Sequence, residues 1–281
     1  MPMRAALAAE LVLATVLCAP FAATAAEARA GALVPHRAVY DLALDSASDR
    51  SGITGITGRM VYEFGGSACD GYTVTFRFVT RIDTDEVSRL TDQQTTTYED
   101  GEGRNFSFVT RSFVDETLDS ELKGSARLGD GETVVSLEKP REEQFRLEAT
   151  RFPTHHLMEL LSKARAGETF YETTLFDGSE DADKVMTTTV VIGREARAKA
   201  NDPELKALAS LGKDAFWPVD MAYFDLGEAN ADGEELPSYR ISFKLHESGV
   251  TRDLVMDYGD FSMSGTLVDL SLFDAPQRCT Q

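Results

Sequence analysis

Most of this chain alternates with a period of two, which restricts it to β architectures. In Tyr72-Thr73-Val74-Thr75-Phe76-Arg77-Phe78-Val79-Thr80, the residues Tyr72, Val74, Phe76 and Phe78 share one face. Similar runs cover 38–44, 59–64, 87–98, 105–114, 116–127, 133–137 and 144–147. They resume at 168–176, 185–192, 215–224, 238–245, 250–258 and 261–270. These runs are rich in Thr, Val, Tyr and Phe, which suit a pleated, half-buried surface. Turn signals such as Glu99-Asp100-Gly101, Gly129-Asp130-Gly131 and Tyr258-Gly259-Asp260 separate them. Short gaps favour hairpins, hence an antiparallel sheet rather than βαβ units. About fourteen strands exceed what a flat sheet holds, so a single, highly curved or partly closed sheet is expected.

One segment breaks the pattern. Leu157, Leu160, Leu161 and Ala164 recur at helical spacing between Pro153 and Gly167, with Thr154 as the expected N-cap. The helix, near residues 154–166, has an apolar stripe that must cover something, and a curved sheet is the available surface. A weaker helical patch runs from 202 or 203 to 211. No repeat or linker divides the rest, so residues 27–281 read as one domain.

Residues 1–26 read as a secretory signal peptide: Met1 to Arg4 supplies a positive start, an apolar run follows, and Ala22-Ala23-Thr24-Ala25-Ala26 offers cleavage sites. The apolar run is short for a membrane span of roughly 20 residues, and no later segment approaches that length. A lipid-modified cysteine at Cys18 would want leucine three places earlier. Thr15 stands there and Leu17 directly precedes Cys18, so cleavage near Ala26, discarding Cys18, is the expected course. The expected location is the periplasm. Two cysteines are left, Cys69 and Cys279, and an even count in an exported protein argues for a bridge. It would close a loop of about 210 residues and tie down a terminus that would otherwise fray. A redox pair would normally have C-x-x-C proximity instead.

The formal charge of −19 repels nucleic acid and anionic head groups at long range. No catalytic constellation stands out. His155 and His156 are adjacent, so on a helix they point about 100° apart; His246-Glu247 begins like H-E-x-x-H, but position 250 is Val. No G-x-S-x-G elbow is present. Gly52-Ile53-Thr54-Gly55-Ile56-Thr57-Gly58 lacks the Lys-Ser/Thr of a phosphate loop and reads as a bulged lead-in to a strand. The acidic run Asp177-Gly178-Ser179-Glu180-Asp181-Ala182-Asp183 lacks EF-hand spacing and reads as a solvated turn, with calcium as the alternative. No catalytic residue, metal site or cofactor is therefore assigned. The aromatic residues are more suggestive. Phe76, Phe78, Phe106, Phe108 and Trp217 are candidates to line an apolar groove, the alternative for each being ordinary core packing.

The run Arg151-Phe152-Pro153-Thr154-His155-His156, the helix end Ala166-Gly167-Glu168, the turn Phe176-Asp177-Gly178-Ser179 and the Cys69/Cys279 pair resemble the cell envelope integrity EipB family. The resemblance spans essentially the whole mature chain. It implies a periplasmic protein of α-proteobacteria with a β-spiral fold stapled by a disulfide. That fold is similar to the lipoprotein carriers LolA and LolB and the sensor RseB, which bind acyl chains or lipoproteins on a concave apolar face. It further implies a role in envelope integrity and stress resistance, and a link to a periplasmic tetratricopeptide-repeat protein. No catalytic residues come with it. The expected function is thus non-enzymatic: binding of an envelope lipid, lipoprotein or protein partner on a curved sheet. The alternatives are an interaction protein whose concavity the helix plugs and, weakest, an envelope hydrolase.

Overall fold

A computed structural model describes residues 33–179, 182–225 and 236–274, which lie in one compact unit, Gly31–Gln281. Eight strands come first: β1 (His36–Ala47), β2 (Ile53–Ser67), β3 (Gly71–Thr84), β4 (Ser88–Glu99), β5 (Asn105–Val114), β6 (Thr117–Leu128), β7 (Glu132–Lys139) and β8 (Glu143–Glu148). Helix α1 (Pro153–Ala166) follows, then β9 (Phe170–Leu175), β10 (Met186–Ile192), the two-residue β11 (Ala196–Arg197) and the short α2 (Leu205–Leu208), continued by a 3-10 turn at Ala209–Lys213. The last described elements are β12 (Ala215–Phe224), β13 (Tyr239–His246), β14 (Thr251–Asp257) and β15 (Phe261–Leu272).

All strands join one sheet, in the order β8-β7-β6-β5-β4-β3-β2-β1-β15-β14-β13-β12-β10-β9, with β11 beside β12, and every pairing is antiparallel. Two meanders, β1 to β8 and β9 to β15, are therefore joined where β1 lies between β2 and β15. The single mainly β sheet with one main covering helix matches the architecture expected from the sequence. Strand boundaries agree with the alternating runs to within a few residues, except at the front of β2. There the glycine-spaced segment from Ile53 to Gly58 is already paired, with a register shift between Ile53 and Gly55. A Cβ at Gly58 would lie 2.3 Å from the Val79 carbonyl oxygen, so close strand approach requires glycine there.

The sheet curls so that one face of each strand points inward. Ala38, Tyr40 and Leu42 of β1 meet Met60 and Phe64 of β2, Trp217 and Val219 of β12, and Leu254 and Met256 of β14 in one core. Helix α1 packs its stripe, Leu160, Leu161 and Ala164, into that core. It spans the connection between the two edge strands, β8 and β9. Arg151, just before it, forms a parallel bridge to Leu175 of β9, drawing the two edges together. A second, smaller core lies under β5 to β7, where Phe106, Phe108, Phe152 and Phe176 are each about 1% exposed. Their centroids are 5.2–6.4 Å apart in stacked and edge-on contacts.

The helix starts differently from the sequence expectation. Phe152, extended at φ −101° and ψ 160°, is the N-cap and has no side-chain cap; Pro153 follows, and Thr154 lies inside the helix. The first turn is capped from a distance. The backbone N–H of Thr154 donates to Glu99 at 2.7 Å and that of His155 at 3.1 Å, and His155 Nδ1 also meets Glu99. The turn signal Glu99-Asp100-Gly101 begins one residue early: Glu99 is the last residue of β4 and only 1% exposed. A carboxylate at orphan N–H groups complements the positive end of the helix dipole. Gly167 in the left-handed region (φ 77°) ends the helix, its N–H donating to Ala164.

Candidate functional site

Between the two cores the curled sheet leaves a cavity of about 560 Å³, within the about 300–1,000 Å³ usual for small-molecule sites. Strand register sets the inward rows from which its walls are drawn. Met60, Phe78, Gln93, Ser112 and Ser120 follow one another across β2 to β6 at one level. Tyr62, Phe76, Thr95, Thr110 and Leu122 do so at the next, and Phe64, Val74, Thr97 and Phe108 at a third. The inner surface thus changes from aromatic and aliphatic on β2 and β3 to hydroxyl and amide on β4, β5 and the start of β6. Opposite stand Ile241 and Phe243 of β13 and Leu254 and Met256 of β14. Pro153, at the start of α1, and the Asp177–Gly178–Ser179 turn close one side.

That turn is held in place. Ser179 N–H donates to Asp177 Oδ1 at 2.9 Å. Gly178 is left-handed (φ +70°), and a Cβ there would lie 2.6 Å from the Phe108 ring, so any larger residue would both strain the turn and press on the second core. Glu180 and Asp181 lie outside the described residues; among the described residues no group of three His, Cys, Asp or Glu is placed to hold a metal.

The five aromatic candidates are not gathered at one site. Phe76 lines the cavity. Phe78 stacks beside it at 5.9 Å and packs on the main core without lining the space. Phe106 and Phe108 are closed into the second core. Trp217 lies in the main core and forms the floor of a separate surface recess near Arg165, Glu168, Arg194 and Glu247. Sequence reasoning missed the hydroxyl wall. Its signal was β4 itself: Asp92, Gln94 and Thr96 face out, Gln93, Thr95 and Thr97 face in, so a central strand is polar on both faces. Cys69 lies in the turn between β2 and β3, its N–H bonded to Ser67 Oγ; Cys279 is outside the described residues.

The histidines have separate structural settings. His155 faces Glu99, whose hydrogen bond raises its pKa above the ordinary histidine range. His156 is buried, and loss of solvent lowers its pKa to about 4. His246 is likewise lowered to about 4 by burial and by neighbouring Arg252, whose Nε donates to His246 Nε2 at 3.0 Å. Arg252, fully buried, also bonds Asp202 and Glu204 at 2.9 Å each. Glu204 in turn accepts from the N–H groups of Asp253 and Leu267, so this cluster fastens the α2 segment to β14 and β15. The cluster is buried and ion-paired through Arg252 Nη1, while Arg252 Nη2 has no hydrogen-bond partner among the described residues, and it has the character of a structural clasp.

Comparison with known proteins follows the same architecture. Residues 27–274 match the family model described as EipB-like. The chain is 56% identical over 263 residues to the Cell envelope integrity protein EipB of Brucella abortus (strain 2308), covering 93% of this chain and 92% of that relative. It also superposes, with a TM-score of 0.82 and 56% identity, on a crystal structure described as a beta-barrel-like protein of domain of unknown function DUF1849 from Brucella abortus, covering 86% of this chain and 99% of that one. No helix among the described residues is long and apolar enough to cross a membrane. A match over almost the whole chain, together with a shared curled sheet, makes this protein a member of the EipB-like family.

Proposed function

We propose that this protein supports cell envelope integrity from the periplasm, without catalysing a reaction, by holding an acyl-bearing envelope ligand in its concave cavity. The observation that carries this reading is the cavity: about 560 Å³ of space walled by apolar side chains of β2, β3, β13 and β14, beside a helix that fills only part of the concavity. Buried apolar walls favour a hydrocarbon chain by roughly 25 cal/mol per Å² removed from water. The name of the Brucella abortus relative supports the envelope role. The LolA-like and LolB-like mode of binding is part of this proposal.

The test is the natively purified periplasmic protein, extracted with organic solvent and examined by mass spectrometry. A near-stoichiometric acyl-bearing species is expected. The same preparation of Leu122→Trp, which fills the cavity from its half-buried wall, should lack it while melting within a few degrees of the parent. Deletion of the gene should sensitise the host to envelope stress, with rescue by the parent and not by Leu122→Trp. A parent protein free of such species, or full rescue by the filled variant, overturns the reading.

A protein partner, the tetratricopeptide-repeat protein implied by the sequence resemblance, is a second reading. It is favoured by Phe170 and Val191, which lie opposite each other on β9 and β10 and are 59% and 50% exposed. Pull-down with Phe170→Ser tests it: undiminished recovery of the repeat protein would remove this surface from consideration.

A further inference from the structure

The cavity's polar wall narrows the chemistry of what it can hold. Among the described residues no Lys, Arg or His lines it, and the one charged side chain is Asp177. Arg77, the basic residue of the neighbouring strand, points to the other face and is paired with Asp92 at 2.8 Å. Lys184, which shares a small recess with Asp177, is paired with Asp225. What the wall offers is neutral. Thr95 and Thr110 bond each other at 3.0 Å, while Gln93, Thr97, Ser112 and Ser120 make no side-chain hydrogen bond to another described residue. Their donors and acceptors face the same space as Phe76, Leu254 and Met256.

An anionic head group brought into this space would lose part of its water and meet no cation among the described residues, so it enters at a net cost. A hydroxyl or amide would exchange its water for Thr, Ser and Gln partners at little net cost. Resting on the acyl-binding reading above, we propose that the cavity selects an uncharged amphiphile: one hydrocarbon chain carrying a hydroxyl- or amide-bearing head, of the monoacylglycerol type, with no phosphate and no free carboxylate. The chain lies against β2, β3, β13 and β14. The head lies along β4, β5 and β6, with Gln93 and Ser120, which are exposed, at the opening.

The experiment compares monoolein with oleate, two probes that share one hydrocarbon chain and differ in charge. Binding of each, delivered from cyclodextrin at pH 8, is followed by displacement of an apolar fluorophore. Measurement in 1 M salt cuts the screening length to about 3 Å, which removes the repulsion of the chain's overall −19 charge and leaves the local lining to decide. Monoolein should bind at least ~10-fold more tightly than oleate in high salt. Ser120→Lys, an exposed position at the opening, should narrow or reverse that ratio by raising oleate affinity about tenfold. Equal binding of the two probes, or an oleate affinity unmoved by Ser120→Lys, overturns the head-group selection while leaving the acyl-binding reading standing. Failure of both probes to displace the fluorophore overturns the acyl-binding reading itself, and this inference with it.

Discussion

Replacing Glu99 with alanine removes the carboxylate that caps α1 from outside its own segment. Three contacts go: the N–H groups of Thr154 and His155, and the His155 ring. Hydrogen bonds to charged groups contribute about 1.5–3 kcal/mol each, and a buried donor left unsatisfied costs about 1–3 kcal/mol. Thr154 is buried, so water cannot readily replace Glu99 there. Allowing for relaxation, the loss should be about 3 kcal/mol. For a domain of this size each kcal/mol moves the midpoint by roughly 2–4 °C, so thermal unfolding followed by circular dichroism should show a drop of about 6–12 °C. Glu99→Gln keeps the shape and one carbonyl acceptor and should fall between parent and alanine variant. The pair His155→Ala and Glu99→Ala should be non-additive, because they share one contact. A Glu99→Ala midpoint within 1 °C of the parent would show that the helix does not depend on this cap.

Several further outcomes can be checked together. Gly178→Ala should lower stability by roughly 1–3 kcal/mol, from left-handed strain and contact with Phe108, read by urea denaturation; an unchanged midpoint refutes the closeness of that turn. Lowering pH from 7 to 5 should destabilise the fold. His156 and His246 are held near 4 when folded, against about 6.5 when unfolded, so the unfolded chain binds the extra protons first. For His156 this is on the order of 2 kcal/mol, partly offset by His155, whose raised pKa adds stability that is fully present below about 6.5 and lost as pH rises through its folded value. His156→Gln should flatten the profile between pH 5 and 7, and an unaltered slope would contradict the assignment. The proposed Cys69–Cys279 bridge predicts that Cys69→Ser or Cys279→Ser lowers stability by about 2–4 kcal/mol without stopping secretion; a midpoint indifferent to reductant contradicts it.

Much of the scaffold was legible because the alternation period and the turn residues are local properties. The run 105–114 coincides with β5 because it is rich in Phe, Val, Ser and Thr and follows a turn that carries Gly101 and Gly103; the turn at its far end, Asp115-Glu116, is left-handed (φ 49° and 66°) without a glycine. The two residues of β11 carry too short a pattern to be read. The candidate site was legible only in part, because it depends on register. Phe76 and Phe106 have the same strand-like pattern in sequence, yet one lines the cavity and the other closes the second core, according to which strands and which end of α1 lie opposite. Glu99 looked like the start of a turn because its partner, the first turn of α1, is 55 residues away. The polar inner row of β4 was visible as composition, but its meaning appeared only when β3 and β5 placed Phe76 and Thr110 on either side of Thr95.

The most direct test is methyl-resolved NMR of the intact mature protein titrated with monoolein. Shift changes should be concentrated at Val74, Leu122, Ile241, Leu254 and Met256, whose methyl groups border the cavity, and outward-facing Val268 and Leu118 should stay still. Changes confined to the outward-facing groups, or none at saturating ligand, would contradict an acyl ligand held inside the curled sheet.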